Sequence, residues 1–245
     1  MKLPTARLDR LLANLGYGSR REVQAMIARG RITLDGARLR DVGQKIPLDP
    51  DLSARMQVNG APLDPPSPLT LVFHKPLGVV CSHRETGRSL YDLLPDRWRQ
   101  RDPALSSVGR LDVDTSGLLL VTDDGPLLHR IISPKNHIAK RYYVTLARPL
   151  EGHEGALFAS GALLLESETT PLAPASLEVL STNTARLTLT EGRYHQVRRM
   201  FAAAGNHVCA LHRDRIGALD LDDGLVSGAY RILTASDRAA VFATA

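Results

Sequence analysis

Hydrophobic and polar positions alternate along the chain with two different periods. In residues 5–16, Leu8, Leu11, Leu12 and Leu15 recur at helical spacing, and Gly16 stands where the helix should end. Ser19-Arg20-Arg21-Glu22 has the hydroxyl-and-carboxylate pattern that caps a helix start reciprocally. Val23, Met26 and Ile27 make the inner face of this second helix, and Gly30 stops it. Residues 32–34 read as a strand, Asp35-Gly36 as a hairpin turn and 37–42 as the returning strand. Two short helices alone would also suit a DNA-binding helix-turn-helix, but a hairpin in place of a third core helix argues against it.

Residues 63–68 hold three prolines in six positions and predict a stiff linker. Beyond it, β-rich apolar stretches fall at 71–73, 118–122, 142–146, 175–179 and 186–190. Helical patterns cover 126–132, after the Asp123-Asp124-Gly125 turn, and 194–204, ending at Gly205-Asn206. Strands outnumber helices and no strict strand–helix–strand rhythm runs through them. The expected class is α+β with a largely antiparallel sheet, arranged as a head over 1–62, a linker over 63–68 and a body over 69–245.

Charge sharpens this division. Residues 1–60 carry 11 basic and 6 acidic side chains, which accounts for the whole net charge of +5, and the remaining 185 residues carry 20 of each sign. A basic module on a neutral body suits a grip on a polyanion, with some other task left to the body, although a solvated basic face would look the same. Arg20, Arg21, Arg29 and Arg31 cluster around the second helix, off its apolar face. At 43% hydrophobic the 245-residue chain can bury a core, and no apolar run exceeds five residues, far short of the roughly 20 that a membrane helix needs. Two cysteines and an N-terminus without a secretory apolar stretch lead us to expect a reducing, cytoplasmic setting.

The most unusual stretch is residues 107–125, in which Asp112 and Asp114 occupy a polar turn just before a strongly apolar strand. Three readings compete. Asp and Thr could simply bond their own backbone. Asp-x-Asp-Thr could belong to a magnesium-dependent aspartyl-phosphate hydrolase, but that chemistry wants its apolar strand before the first Asp, and here it follows. Or Asp112 could face arginine, from Arg110 or from the basic run at 191–200, and so stay an ionised acceptor suited to attack on a sugar carbon or to proton removal. His195 could serve as an acid or base, but a histidine entering a helix more often makes local hydrogen bonds. His207 to His212 has too irregular a spacing for a metal cluster and reads as a β segment.

Two resemblances fit these observations. Arg7-Leu8-Asp9, Gly18-Ser19-Arg20, Arg29-Gly30-Arg31-Ile32 and Asp35-Gly36 are similar to the S4 RNA-binding domain, which implies that Arg7, Arg20, Arg21, Arg29 and Arg31 contact RNA. Gly109-Arg110-Leu111-Asp112-x-Asp114-Thr115-x-Gly117-Leu118 resembles the signature of the RsuA-type pseudouridine synthases. Lys75-Pro76-x-Gly78 precedes it, and Lys140-x-Tyr142 and Glu191-Gly-Arg-Tyr-His-Gln-Val-Arg198-Arg-Met follow, in that family's order. The resemblance implies a pseudouridine-synthase fold in the body and isomerisation of a uridine in RNA, with no cofactor and no metal.

By the same resemblance, Asp112 is the essential aspartate, Tyr142 stacks on the uracil and takes part in removing its C5 proton, and Arg198 ion-pairs with Asp112. Arg110 helps to flip the base, and Lys75 and Arg193 belong with the RNA-binding residues. His74 departs from the asparagine frequent in relatives. The run from Glu191 and His212-Arg-x-Arg-Ile-Gly217 resemble the branch acting on the small subunit. That points to 16S rRNA, free or in a precursor particle, as the partner of a monomeric enzyme with no membrane contact. Action on 23S rRNA and a non-catalytic S4-type assembly factor are the alternatives.

Overall fold

A computed structural model describes residues 3–83 and 86–243. The chain forms two compact units. The first takes in the chain up to Thr70 together with Leu94–Ser106 and Thr122–Asp124; the second comprises Leu71–Leu93, Ser107–Val121 and the chain from Gly125 onward.

The first unit opens with β1 (Thr5–Arg7), α1 (Leu8–Asn14) and α2 (Arg20–Ala28), then β2 (Ile32–Leu34), β3 (Ala37–Arg38), β4 (Lys45–Pro47), α3 (Leu52–Arg55), β5 (Met56–Val58) and β6 (Ala61–Pro62). The Ser19–Glu22 capping box is formed in both directions. Asp35 and Gly36 both take positive φ, which the tight turn between β2 and β3 requires. Leu8, Leu11, Leu12, Leu15, Val23, Ile27 and Ile32 meet Ile46, Met56 and Val58 in one buried core. Two expectations are corrected. Residues 5–7 are not helical: Thr5–Arg7 pairs antiparallel with Lys45–Pro47. The return strand stops at Arg38 instead of 42, because the chain then turns back and the carbonyls of Val42 and Gln44 accept from the first amides of α1.

The second unit is built on β7 (Thr70–Lys75), β8 (Ser106–Ser107), β9 (Thr115–Thr122), α4 (Gly125–Ile132), β10 (Lys140–Leu146), α5 (Glu154–Ala159), β11 (Ser176–Val179), β12 (Thr184–Leu189), α6 (Gln196–Ala203), β13 (Val208–Ile216), β14 (Leu219–Asp220), β15 (Tyr230–Ile232) and α7 (Ala235–Phe242). The main sheet runs β11-β12-β10-β13-β9-β7-β15. Its pairings are mostly antiparallel, in line with the expected class, while β13 runs parallel to β9. That parallel pair is unusually close. A Cβ at Gly117 would lie 2.2 Å from the carbonyl oxygen of Arg213, so only glycine lets the two strands approach. All five sequence-predicted strand cores fall on real strands. The last predicted helix begins at Gln196 instead of 194, because His195 is held in the left-handed region.

Candidate active site

Asp112 lies in the turn that leads into β9, and the backbone of that turn is tied down from several directions. Lys75, at the end of β7, is fully buried, and its Nζ donates to the carbonyls of Asp112 (2.9 Å), Thr115 (2.9 Å) and Pro76 (3.0 Å). An ammonium has three donors, and all are filled by main-chain oxygens. The Gly78 amide donates to the Val113 carbonyl at 2.8 Å, and the Thr115 amide to the Asp112 carbonyl at 3.0 Å. The Cys81 thiol donates to the Leu111 carbonyl at 3.3 Å. Burial pushes the Lys75 ammonium below the ordinary lysine value, with nearby Cys81, Asp112 and Asp114 opposing the shift. This geometry corrects the assignment of Lys75 to RNA contact: a buried cation with filled donors fixes the loop and offers nothing to a ligand.

The Asp112 side chain is about one-third exposed and borders a cleft of about 370 Å³. Tyr142 on β10, Arg198 on α6, and Arg110 and Arg193 line the same cleft, so residues spread over some 90 positions of sequence come together in space. Among the described residues, the ionisable partner within 4 Å of the Asp112 carboxylate is His195, whose Nε2 stands 3.5 Å from one oxygen. The imidazole stacks on Tyr194 with ring centroids 3.8 Å apart. By its place at a helix entry His195 is expected to make local hydrogen bonds, and its left-handed backbone just before α6 is what carries it to the aspartate.

Arg198 takes a different partner from the expected one. Its guanidinium meets the Asp114 carboxylate at 2.8 Å and the Asp114 carbonyl at 3.1 Å, and it donates to the Val208 carbonyl at 2.9 Å. Arg198 thus braces the loop one residue beyond Val113, tying α6 and the start of β13 to it. Arg193 is also corrected as an RNA contact. Its donors reach Glu191, Glu168 and the carbonyls of Thr170 and Pro171, so the guanidinium holds the neighbouring loop. Arg110 is exposed at the cleft.

In the first unit, Arg20, Arg21, Arg29 and Arg31 are all exposed, and Arg7, also exposed, forks onto Asp9 at 3.1 and 3.2 Å.

Two further cations line the cleft. Arg213 on β13 is in register with Tyr142 and 4% exposed. The signal for it was a charge two residues after Leu211 on the inward face of a strand. Beside it, burial first and then the Arg213 charge press Lys140 down to about 8, with Glu191 opposing. Folding therefore pulls a proton off a lysine that holds it to about 10.5 when unfolded. Between those values the unfolded chain binds more protons, so stability rises with pH across that window. We expect Lys140→Met to raise the unfolding free energy by about 1–3 kcal/mol at pH 7. Urea titrations at pH 7 and pH 10 should show this advantage shrinking toward zero at the higher value.

Residues 69–203 match the family described as RNA pseudouridylate synthase, and residues 6–49 match the S4 domain. Fold, loop and sequence together define an RNA-modifying isomerase, and the chain belongs to the RNA pseudouridylate synthase family. Within that family it is 42% identical to ribosomal small subunit pseudouridine synthase A of Pasteurella multocida over 233 residues, covering 94% of this chain and 97% of the relative. The protein of the same name from Escherichia coli K12 is also 42% identical, over 239 residues, covering 96% of this chain and 99% of the relative. A crystal structure of a pseudouridylate synthase superposes with a TM-score of 0.67 at 37% identity, covering 96% of this chain and 99% of that one.

Proposed function

We propose that this enzyme isomerises one uridine of 16S rRNA to pseudouridine, without a cofactor. The observation that supports this reading most is the Asp112 turn. Its main chain is clamped by Lys75, Gly78 and Thr115, while its carboxylate is left at a cleft bordered by Tyr142. A rigid loop with a chemically available carboxylate is what attack on a bound sugar requires.

In this reading Arg110 enters the RNA as the target nucleotide leaves its stack, and Tyr142 offers a platform for the base, where stacking is worth about 1–3 kcal/mol. Asp112 acts on the ribose, at C1′ as nucleophile or at C2′ as base. The N1–C1′ bond breaks, the uracil turns, and C5 bonds to C1′ as Asp112 leaves that carbon or returns its proton to C2′. The C5 proton then departs with the help of Tyr142, and N1 takes up a proton. Arg198 contributes as a positioning residue, through Asp114.

Residues 1–62 form the RNA-gripping head, in which Arg7, Arg20, Arg21, Arg29 and Arg31 meet phosphates. Residues 63–68 act as linker and 69–245 as the catalytic domain. A monomer working in the cytoplasm on rRNA or on a small-subunit precursor particle, with no membrane contact, completes the proposal. No described helix is long and apolar enough to cross a membrane.

The test is carbodiimide-stopped reverse transcription across rRNA from cells with and without the gene. One stop in 16S rRNA should vanish on deletion and return with the purified enzyme acting on rRNA from the deleted strain. A vanished stop in 23S rRNA instead, or no change anywhere, would refute the assignment.

A further inference from the structure

Arg213 is the most confined charge in the cleft. Its Nε donates to the Leu118 carbonyl at 2.8 Å, and its Nη1 lies 3.5 Å from the Tyr142 hydroxyl. The guanidinium carbon stands 5.9 Å from the centre of the Tyr142 ring. Nη2 is buried and has no hydrogen-bond partner. A guanidinium nitrogen kept from water without an acceptor is costly, and a fold that holds one beside a cleft leaves a place for an acceptor to arrive. The Gly117 approach makes this position rigid, because β9 lies directly against the Arg213 backbone.

Depth decides which acceptor arrives. Asp112 and His195, at the rim, are 34% and 39% exposed in their side chains, whereas Tyr142 and Arg213 are 9% and 4% exposed as residues. A phosphate of the RNA strand stays with the backbone at the rim; the flipped base is the part that travels inward. Resting on the pseudouridine reading, we infer that Arg213 is a further catalytic residue, whose Nη2 donates to a carbonyl oxygen of the extruded uracil.

The chemistry gives this contact a purpose. When N1–C1′ breaks, the bonding electron pair leaves with the uracil, and its negative charge spreads onto O2 and O4. A donor already aimed at one of these oxygens binds the departing anion better than the neutral base, so it accelerates cleavage more than it aids binding. Once the base has turned and C5 has bonded to C1′, the C5 proton leaves, N1 takes up a proton, and the charge disappears. The charged neighbour Lys140 adds to the same positive field below a pH of about 8.

The experiment compares full-length wild type, Arg213→Gln and Arg213→Lys on a 16S rRNA transcript, with circular dichroism as the folding control. Arg213→Gln should lose about 100-fold or more in kcat with KM held within about threefold, and Arg213→Lys should recover at least about tenfold of that loss. A folded Arg213→Gln with a wild-type rate would overturn the inference and leave the pseudouridine reading standing, with Nη2 then serving only a trapped water. Wild type inactive on every rRNA would remove the reading and this contact with it.

Should Arg213→Gln not fold, wild type decides the matter on ligated RNAs carrying 2-thiouridine or 4-thiouridine at the target. Sulfur is the weaker acceptor, so one of the two should slow turnover about tenfold and thereby identify the oxygen. Equal rates for both thio substrates and the parent RNA would overturn the contact.

Discussion

Asp112→Asn will bind rRNA and form no measurable pseudouridine. The amide matches the carboxylate in shape but carries neither a nucleophilic anion nor a base, and both routes open to Asp112 on the ribose need one of these. The loss should reach about 10⁴-fold or more, upward of about 5 kcal/mol in transition-state stabilisation. The fold should barely register the change. The loop is held by its main chain, through Lys75, Gly78 and Cys81, and not by the Asp112 side chain. The carboxylate is one-third exposed and 3.5 Å from His195, a geometry worth at most about 1 kcal/mol. RNA affinity should hold or rise slightly, since a negative charge facing phosphates is removed. Single-turnover assays with saturating enzyme, alongside filter binding, separate the two effects. Turnover by Asp112→Asn within tenfold of wild type would end the assignment.

The second large effect concerns stability alone. In the first unit Arg101 and Asp123 form an ion pair at 3.0 Å with both side chains 1% exposed. Asp123 also accepts the Leu69 amide at 2.7 Å, and Arg101 donates to the Pro65 carbonyl at 3.0 Å, so the pair fastens the proline-rich segment. Removing one partner strands the other's charge in a place without water. Asp123→Ala should therefore lower the unfolding free energy of this unit by about 3–5 kcal/mol. Replacing both charges, as in Arg101→Met with Asp123→Leu, should return most of that loss, because the penalty belongs to the orphaned charge. Trp98 is the chain's one tryptophan, and the Arg101 guanidinium lies 5.9 Å from its ring, so fluorescence during urea denaturation reads this unit directly. A double variant as unstable as Asp123→Ala would show that packing, not charge, is at stake.

Elements whose cause is local could be read from sequence. The Ser19–Glu22 cap, the Asp35-Gly36 turn and the five apolar strand cores each depend on neighbours a few residues away, and each formed as expected. Residues 5–7 continue the helical spacing of their neighbours yet form a strand, because their partner Lys45–Pro47 lies about forty residues further on. The cleft was legible in part for the same reason. Asp112, Tyr142 and Arg198 stand in recognisable runs, and the fold gathers them. What a charged side chain does with its donors depends on residues far along the chain. Lys75 and Arg193 look like RNA contacts in a string of letters, yet they are occupied by carbonyls and carboxylates. Arg198 meets Asp114 where Asp112 was expected, a difference of two positions that no spacing rule could resolve.

The parallel pairing of β9 with β13 also sets an order of events during synthesis. Leu211 aligns with Thr115, so this half of the cleft lacks a wall until β13 has left the ribosome, almost a hundred residues after the strand it pairs with. The core around α1 and α2 draws on Leu8 through Leu63 and has all its members long before then. A nascent chain thus carries its cationic helices, with their apolar contacts available, well before it owns a working catalyst. Chemistry on RNA must wait for β13.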